Sequence, residues 1–546
     1  MKSGAAPRSD TLRIPQRWPL MSVLQDRTSA TPLQADARLI NAYVEFDPED
    51  EEYWIYKRLG LASTSVFGPG ASTAGRGIYT YAPMGGSGTH GINAGSPALP
   101  TSGVVFGVWG GTLSYSVTQF CPATGASASV GTLTGVSTAN MAFFETINSN
   151  PQVVVVGVPG AGGAWILGGL TAAINSGTAA TLTKITDSGF PANAGYPIVP
   201  GWAYLDGTLY VMDVLGNIWN SAINAPSVWS PATSIQASSN ADSGVALVKQ
   251  LNYIIALKQW TAQVFYDAGN TSGSPLSVVP DTQMPWGCTA AGSVAQIDNT
   301  ILWMTSNQTV SPQIVRMDNL EPRIISTPAV ERLLDEAMQT VSPPTLQNYG
   351  IWSWTLKHGG HRWYALTLAT LNITLVYDLD QPGAPKWYPW SDVNGNYWPV
   401  VGVSYIPAGF YGAGFTSTQH LAQHATAGYV YPLDGCYVYP TDSGVVFPVD
   451  IYTPNFDGGT TRRKYLKALY PYADRTAGSI LQMRHNDYDF DPTRWSNFRS
   501  CDLGLEKPRF MDCGTFDKRR ALHFRHQCPT AFRIKSVDMA LLWGML

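Results

Sequence analysis

The chain has 546 residues, of which 45% are hydrophobic and only 13% charged, with 53 Gly, 38 Pro, 18 Trp and 27 Tyr. That length exceeds what one simple core supports, and the apolar content excludes a largely disordered chain. The net charge of −4 is unevenly spread: from Thr461 onward 16 Lys/Arg stand against 9 Asp/Glu, and the remainder holds 18 against 29. An acidic body with a basic tail suggests a docking surface or a nucleic-acid contact, with a solvated basic face as the bland alternative.

Few charges with many aromatics and turn residues favour an all-β protein. Residues Met1 to Leu20 lack the apolar run of a signal peptide, and no stretch of about 18 apolar residues suggests a membrane span. The six cysteines, Cys121, Cys288, Cys436, Cys501, Cys513 and Cys528, form no CxxC pair and read as reduced thiols.

In chain order, residues 1–60 comprise a Pro/Arg/Ser-rich arm to Leu33 and then two short strands around the acidic turn Asp47–Glu52. Residues 61–444 read as a propeller-like body. Hairpins are expected at Val104–Tyr115, at Val153–Val158 with Ala164–Leu167, and at Trp202–Asp213, where Asp206-Gly207 supplies a two-residue turn. Asn252–Leu257 pairs with Gln263–Tyr266, and Thr300–Met304 with Gln313–Met317. The clearest unit is His361–Trp390. Two period-two runs, Trp363–Leu368 and Ile373–Asp378, flank a turn, and Lys386-Trp387-Tyr388-Pro389-Trp390 begins a further strand. A last unit opens at Tyr397–Tyr405. The units start near residues 104, 152, 202, 251, 301, 361 and 398, a spacing close to the roughly 40–50 residues of propeller blades. About six or seven blade-like units are expected, with a pair of β-sandwiches as the alternative.

One inserted helix is expected at Thr327–Met338, with Thr327 as cap, Pro328 at its first position and Val330, Leu333, Leu334 and Ala337 on one face. Residues 445–546 read as a separate basic β-sandwich, with strands at Leu466–Tyr470, Ile480–Arg484, Ala521–His526 and Phe532–Leu541.

Motifs that could carry chemistry are weak. Gly86-Ser87-Gly88-Thr89-His90-Gly91 matches GxGxxG, but Pro97 and Pro100 follow where a helix is needed. Asp487, Asp489 and Asp491 alternate, yet Pro492 and Phe498 occupy the Gly and Glu places of a calcium loop. The same stretch to Trp495 has a partial Asp-box form, which shapes a turn. Cys501, Cys513, His523, His526 and Cys528 lack the tight spacing of a zinc site, and His420 and His424 lack the glutamate of HExxH. There is no GxSxG and no GK[ST]. A carboxylate pair for glycoside hydrolysis stays open. Trp363, Trp387, Tyr388 and Trp390 are candidates for an assembly patch or, on the preferred reading, for the core of one blade. No catalytic, cofactor-binding or metal-binding residue is assigned, and no cofactor is implied.

The chain resembles the tail hub, or nozzle, proteins of short-tailed bacteriophages, also called packaged-DNA stabilisation proteins. Asp36–Tyr43 is similar to the family's opening x-N-x-Y/M strand. Leu59-Gly60-Leu61 stands at its P-G-(I/L) end, without the Pro. Ile324–Ala337 is similar to I-A-T-x-x-I-E-K-I-I, and Leu375-Val376-Tyr377-Asp378 with Pro385-Lys386-Trp387 to L-V-Y-D…P-x-W. Leu481–Arg484, a turn, and Lys518-Arg519-Arg520 follow in the family's order. The resemblance implies a non-catalytic virion protein, made in the host cytoplasm. It implies a hexameric homo-oligomeric ring below the portal-bound adaptor, holding tail fibres or spikes and the tail needle or tip. Genomic DNA would pass without sequence-specific binding. The alternatives are a tail glycosidase or depolymerase, and a glycan-binding propeller without catalysis. On the nozzle reading the acidic body lines or borders the channel, because a wall past which DNA slides should not grip phosphate strongly. The basic C-terminal domain docks a neighbouring tail protein.

Overall fold

A computed structural model of the chain describes residues 16–20, 38–49, 52–70, 73–82, 103–110, 114–136, 140–307, 310–340, 350–383, 386–406 and 420–543. In place of the three segments expected, the chain divides into two compact units. One comprises residues 59–380 and 389–445, the other residues 1–58, 381–388 and 446–546.

The first unit is a β-propeller of seven antiparallel sheets. Blade 1 is built from Ala74–Tyr81, Val104–Gly110, Ser114–Cys121 and Ala126–Thr134. Blade 2 uses Phe143–Ile147, Val153–Val158, Gly163–Gly168 and Thr181–Lys184. Blade 3 runs from Ala203–Leu205 to Ala225–Trp229, blade 4 from Gly244–Gln250 to Leu276–Val278, and blade 5 from Ala295–Ile297 to Glu321–Ile324. Blade 6 begins with Ile351–His358, His361–Leu368 and Ile373–Asp378. Blade 7 comprises Val400–Tyr405, His420–His424 and Gly428–Asp434. It is completed by Gly60–Leu61 and Phe67–Gly70 from before blade 1.

Period-two patterning explains the packing. Strands sandwiched between two neighbouring blades are buried on both faces and therefore read as continuous apolar runs. In blade 2, Val154 and Val156 point into the core shared with Phe106, Val108 and Val117 of blade 1, whereas Val155 joins Leu209 and Val211 of blade 3. The same alternation links blade 3 to blade 4 through Tyr210, Met212, Ile254 and Phe265, and blade 4 to blade 5 through Ile255, Leu257, Trp303 and Val315. The ring closes where Phe67, Leu421 and Val430 of blade 7 pack with Val105, Trp109 and Phe120 of blade 1.

The first hairpin of four consecutive blades turns in two residues, at 206–207, 251–252, 298–299 and 359–360. At Asp206-Gly207 both residues have positive φ, 49° and 85°, the geometry of the twist-matching turn expected from the dipeptide. The innermost strands lie so close that some blade entries tolerate no side chain. A Cβ on Gly201, whose φ is 106°, would overlap the carbonyl oxygen of Leu247 in blade 4.

The inserted helix spans Pro328–Thr340. Thr327 caps it, its Oγ1 accepting from the Val330 N–H at 3.5 Å, and Val330, Leu334 and Ala337 are fully buried. A second, short helix, Leu170–Ser176, sits in blade 2 between Gly169 and Gly177, both left-handed. No periodicity in so short a segment announces it.

The second unit is a pair of sheets. Five strands run in the order Arg38–Ile40, Val449–Tyr452, Ala521–His526, Ile480–Asn486 and Arg499–Asp502. The larger sheet has Ala42–Asp47 at one edge, followed by Glu52–Lys57, Arg533–Trp543, Lys464–Ala473 and Phe510–Met511. Its core includes Leu466, Leu469, Met483, Phe524, Ile534 and Val537. The segments expected as a separate N-terminal region thus add strands to both sheets. Gln16–Trp18, within the expected extended arm, pairs with Arg533–Trp543, and Trp18 is buried with its Nε1 donating to Thr453.

Candidate functional site

The innermost strands of the propeller surround a cavity of about 970 Å³, lined among others by Tyr79, Glu145, Lys249, Gln296, Trp352 and Val403. Most of its polar groups are satisfied by the wall itself. Tyr79 shares a hydrogen bond with Thr146 at 2.7 Å, Lys249 donates to the Tyr204 carbonyl at 2.5 Å, and the Trp352 indole donates to the Val400 carbonyl at 2.9 Å. Burial pushes the Glu145 carboxyl up to about 7, against the Thr146 N–H and the Lys249 charge, which lower it. Burial likewise raises the Tyr79 phenol to about 12. The cavity therefore offers one carboxyl that titrates near neutrality, beside aromatic rings.

The motifs singled out in the sequence become structural parts. The Gly86–Gly91 stretch lies outside the described residues. Asp487 accepts two hydrogen bonds from Arg520, at 2.7 and 2.8 Å, Asp489 pairs with Arg519, and Asp491 takes the N–H and Oγ1 of Thr493. This run is a turn held by arginines. Among the described residues no group of three or more His, Cys, Asp or Glu could hold a metal ion. The cysteines are buried free thiols. His424 accepts from the N–H groups of Thr426 and Ala427 in a turn, and burial lowers His420 to about 4. Trp363, Trp387, Tyr388 and Trp390 are at most 4% exposed, so they are core residues and not an assembly patch.

A constellation that sequence reasoning missed lies on the five-stranded sheet. Arg38, Tyr452, His523 and Arg484 form one row across four strands, because Arg38 is opposite Tyr452, Tyr452 opposite His523, and His523 opposite Arg484. Asp450 and Arg525 lie in the next row on the same face, two residues along. The Arg38 guanidinium sits 5.4 Å over Tyr452, and Tyr452 stacks on His523 at 3.9 Å. Arg484 lies 4.8 Å from the Trp495 ring and 4.7 Å from that of Phe498.

The hydrogen bonds fix the charge state. Arg484 Nε donates to His523 Nδ1 at 2.8 Å, so that nitrogen acts as acceptor. His523 Nε2 then carries the proton and donates to Asp450 at 2.7 Å. Burial, helped by the Arg484 and Arg525 charges, lowers the His523 pKa against the hydrogen bond and charge of Asp450, which raise it. Burial alone would raise Asp450, but His523 and Arg525 outweigh it and hold its carboxyl below the usual range. Arg525 grips both oxygens of Asp450, at 2.7 and 3.2 Å. Arg525 thus holds the buried carboxylate and Arg484 the histidine, while Arg38 lies over Tyr452 in the same row. The four strands come from distant parts of the chain, so no local motif could reveal the row.

Residues 86–397 match the phage-stabilisation family model, described as Bacteriophage P22 Gp10, beta-propeller. No curated protein matches the chain. Among solved structures, the chain is similar to the N-terminal domain of Nup159 at 10% identity and a TM-score of 0.36, covering 73% of this chain and 99% of that one. It is also similar to the computationally designed Ika8 protein at 10% identity and a TM-score of 0.34, covering 69% and 100% respectively.

Proposed function

The chain belongs to the phage-stabilisation family of the P22 Gp10 type, a family of structural β-propeller proteins of phage tails, and from that premise we propose that it is the tail hub, or nozzle, of a short-tailed phage. Several copies form a ring below the portal and adaptor. The ring closes the filled head, anchors fibres or spikes and conducts DNA at ejection. The observation that carries this reading is the family match across more than half of the chain, on a propeller whose blades are buried against one another.

The conduit is the lumen between copies. A central cavity of about 970 Å³ is far smaller than one turn of duplex, so the DNA path does not run through a single propeller. The propeller unit carries 9 Lys/Arg against 18 Asp/Glu, a balance that disfavours adhesion to phosphate. The sandwich unit, with 25 against 20, is the docking part.

A cryo-EM map of the tail vertex of particles carrying this protein tests the proposal. Propeller-shaped densities around the DNA channel below the adaptor are expected. Finding the chain on peripheral fibres, or absent from the particle, overturns it. Glycan binding is the second reading, favoured by the carboxyl and aromatic rings in the central cavity. Retention of host polysaccharide by the pure protein, lost in Trp352→Ala, would support that reading.

A further inference from the structure

The arginine face of the sandwich has donors left over. Arg38 Nε is buried with no acceptor among the described residues. The Arg484 guanidinium uses its Nε on His523 and makes no other hydrogen bond among the described residues. The one carboxylate present, Asp450, is already shared by His523 and Arg525. The Arg38 guanidinium lies 5.4 Å over Tyr452, and that of Arg484 4.8 and 4.7 Å from the rings of Trp495 and Phe498, an aromatic setting in which a planar guanidinium suits a planar carboxylate. Arginine among tryptophan and tyrosine is also the composition of energetically dominant protein–protein contacts.

The matching anion lies in the same unit, on the other sheet. The segment Glu45–Glu52 carries six carboxylates in eight residues. It connects the edge strand Ala42–Asp47 to Glu52–Lys57. Glu52 is paired with Arg17 and Lys535, but Glu45, Asp47 and Glu49 have no ion pair among the described residues. The acidic hairpin stands at the edge of one sheet and the arginine face covers the other. Contact between different patches of successive copies is head-to-tail, the arrangement that closes rings.

We propose that the arginine face, centred on Arg38 and Arg484, binds the acidic hairpin of a neighbouring copy of this chain through its carboxylates. The proposal rests on the ring reading only in requiring that copies meet. Carboxylate is favoured over DNA phosphate because this site already binds one carboxylate bidentately, and because a conduit is served by a weak grip on DNA.

The test places a photo-crosslinking benzoylphenylalanine at exposed Pro48 in assembled particles and maps the products by mass spectrometry. The expected product joins position 48 of one copy to residues 484–498 of another. Its yield should fall at least about fivefold in Arg38→Glu/Arg484→Glu and recover when Glu45→Lys/Glu49→Lys is added, since reversing both partners restores attraction. Recovery also shows that the first variant folds. A product mapping elsewhere, or one unaffected by the arginine changes, overturns the proposal and leaves the ring intact. The expected product in particles without a ring at the vertex keeps the contact and discards the nozzle. Loss of duplex affinity in the arginine variant, without the crosslink, makes the face a DNA site and overturns the proposal.

Discussion

The propeller unit holds 9 Lys/Arg and 18 Asp/Glu in 379 residues, whereas the sandwich unit holds 25 and 20 in 167. The two regions use carboxylates in different proportions, although the propeller also pairs Asp318 with Arg316 and Asp380 with Arg362, and Asp502 of the sandwich accepts from the Gly504 N–H. In the propeller, several acids serve turns. Asp213 accepts from the N–H groups of Leu215 and Asn217 and from the Trp219 indole, and Asp392 from those of Asn394 and Asn396. In the sandwich, acids face arginines: Asp450 with Arg525, Asp474 with Arg533, Asp487 with Arg520 and Asp489 with Arg519. An acid that accepts from backbone N–H groups shapes one chain locally. An arginine surplus remains available to something else, which is why the inferred contact lies on the sandwich.

The largest expected effect comes where the propeller departs from its own habit. Lys258 and Asp242 form a 2.6 Å ion pair with side chains only 1% and 2% exposed, and Lys258 also donates to the Ala237 carbonyl at 2.9 Å. Lys258→Met should lower stability by about 3–5 kcal/mol, because it leaves Asp242 charged and buried. The same deletion in the sandwich, Arg520→Met, should lower it by roughly 2–3 kcal/mol. Arg520 is as buried, but Asp487 is 27% exposed and water can replace the lost partner. Denaturant unfolding of both variants checks the ranking, and equal losses would erase the distinction drawn between the regions. A smaller effect is expected for Gly201→Ala. A methyl there meets the Leu247 carbonyl in a left-handed backbone, at a loss of roughly 1–3 kcal/mol confined to the propeller's unfolding transition.

The sequence shows the propeller where strands are long and doubly buried. The hairpin of His361–Leu368 and Ile373–Asp378 forms where the two period-two runs place it, with Trp363 opposite Asp378 and Leu368 opposite Ile373. The unit starts inferred from apolar runs mostly mark second strands, such as Val104–Gly110, Tyr253–Lys258 and His361–Leu368, and the innermost strand Ala295–Ile297 is too short to show alternation. Closure of the ring was illegible for a similar reason. Phe67-Gly68-Pro69-Gly70 has no strand pattern, yet it pairs with Gly428–Asp434, where a Cβ on Gly68 would overlap the Gly428 carbonyl. The arginine face was illegible because cross-strand neighbours such as Arg38 and Tyr452 are set by tertiary register and not by spacing.

The smallest effect expected is pH-dependent and separates the cavity from the rest of the propeller. Glu145 has a folded pKa of about 7 against an ordinary 4.5, raised by burial. A carboxyl raised in the folded state supports folding when protonated. Its contribution is full below the ordinary value and is lost as pH climbs through about 7. His420 has the opposite sign. It is lowered by burial from 6.5 to about 4, so its contribution is present above 6.5 and fades as pH falls toward 4. Glu145→Gln should therefore stabilise the protein by about 1–2 kcal/mol at pH 8, less than the full shift implies because the cavity is open to water. The gain should vanish near pH 4, while the acid-side loss due to His420 persists in both proteins. Stability measured against pH for the two proteins reads the difference directly. A gain independent of pH would mean that the Gln side chain simply packs better. No gain at pH 8 would mean that Lys249 compensates the Glu145 charge fully, and that the cavity is as self-satisfied as the turns around it.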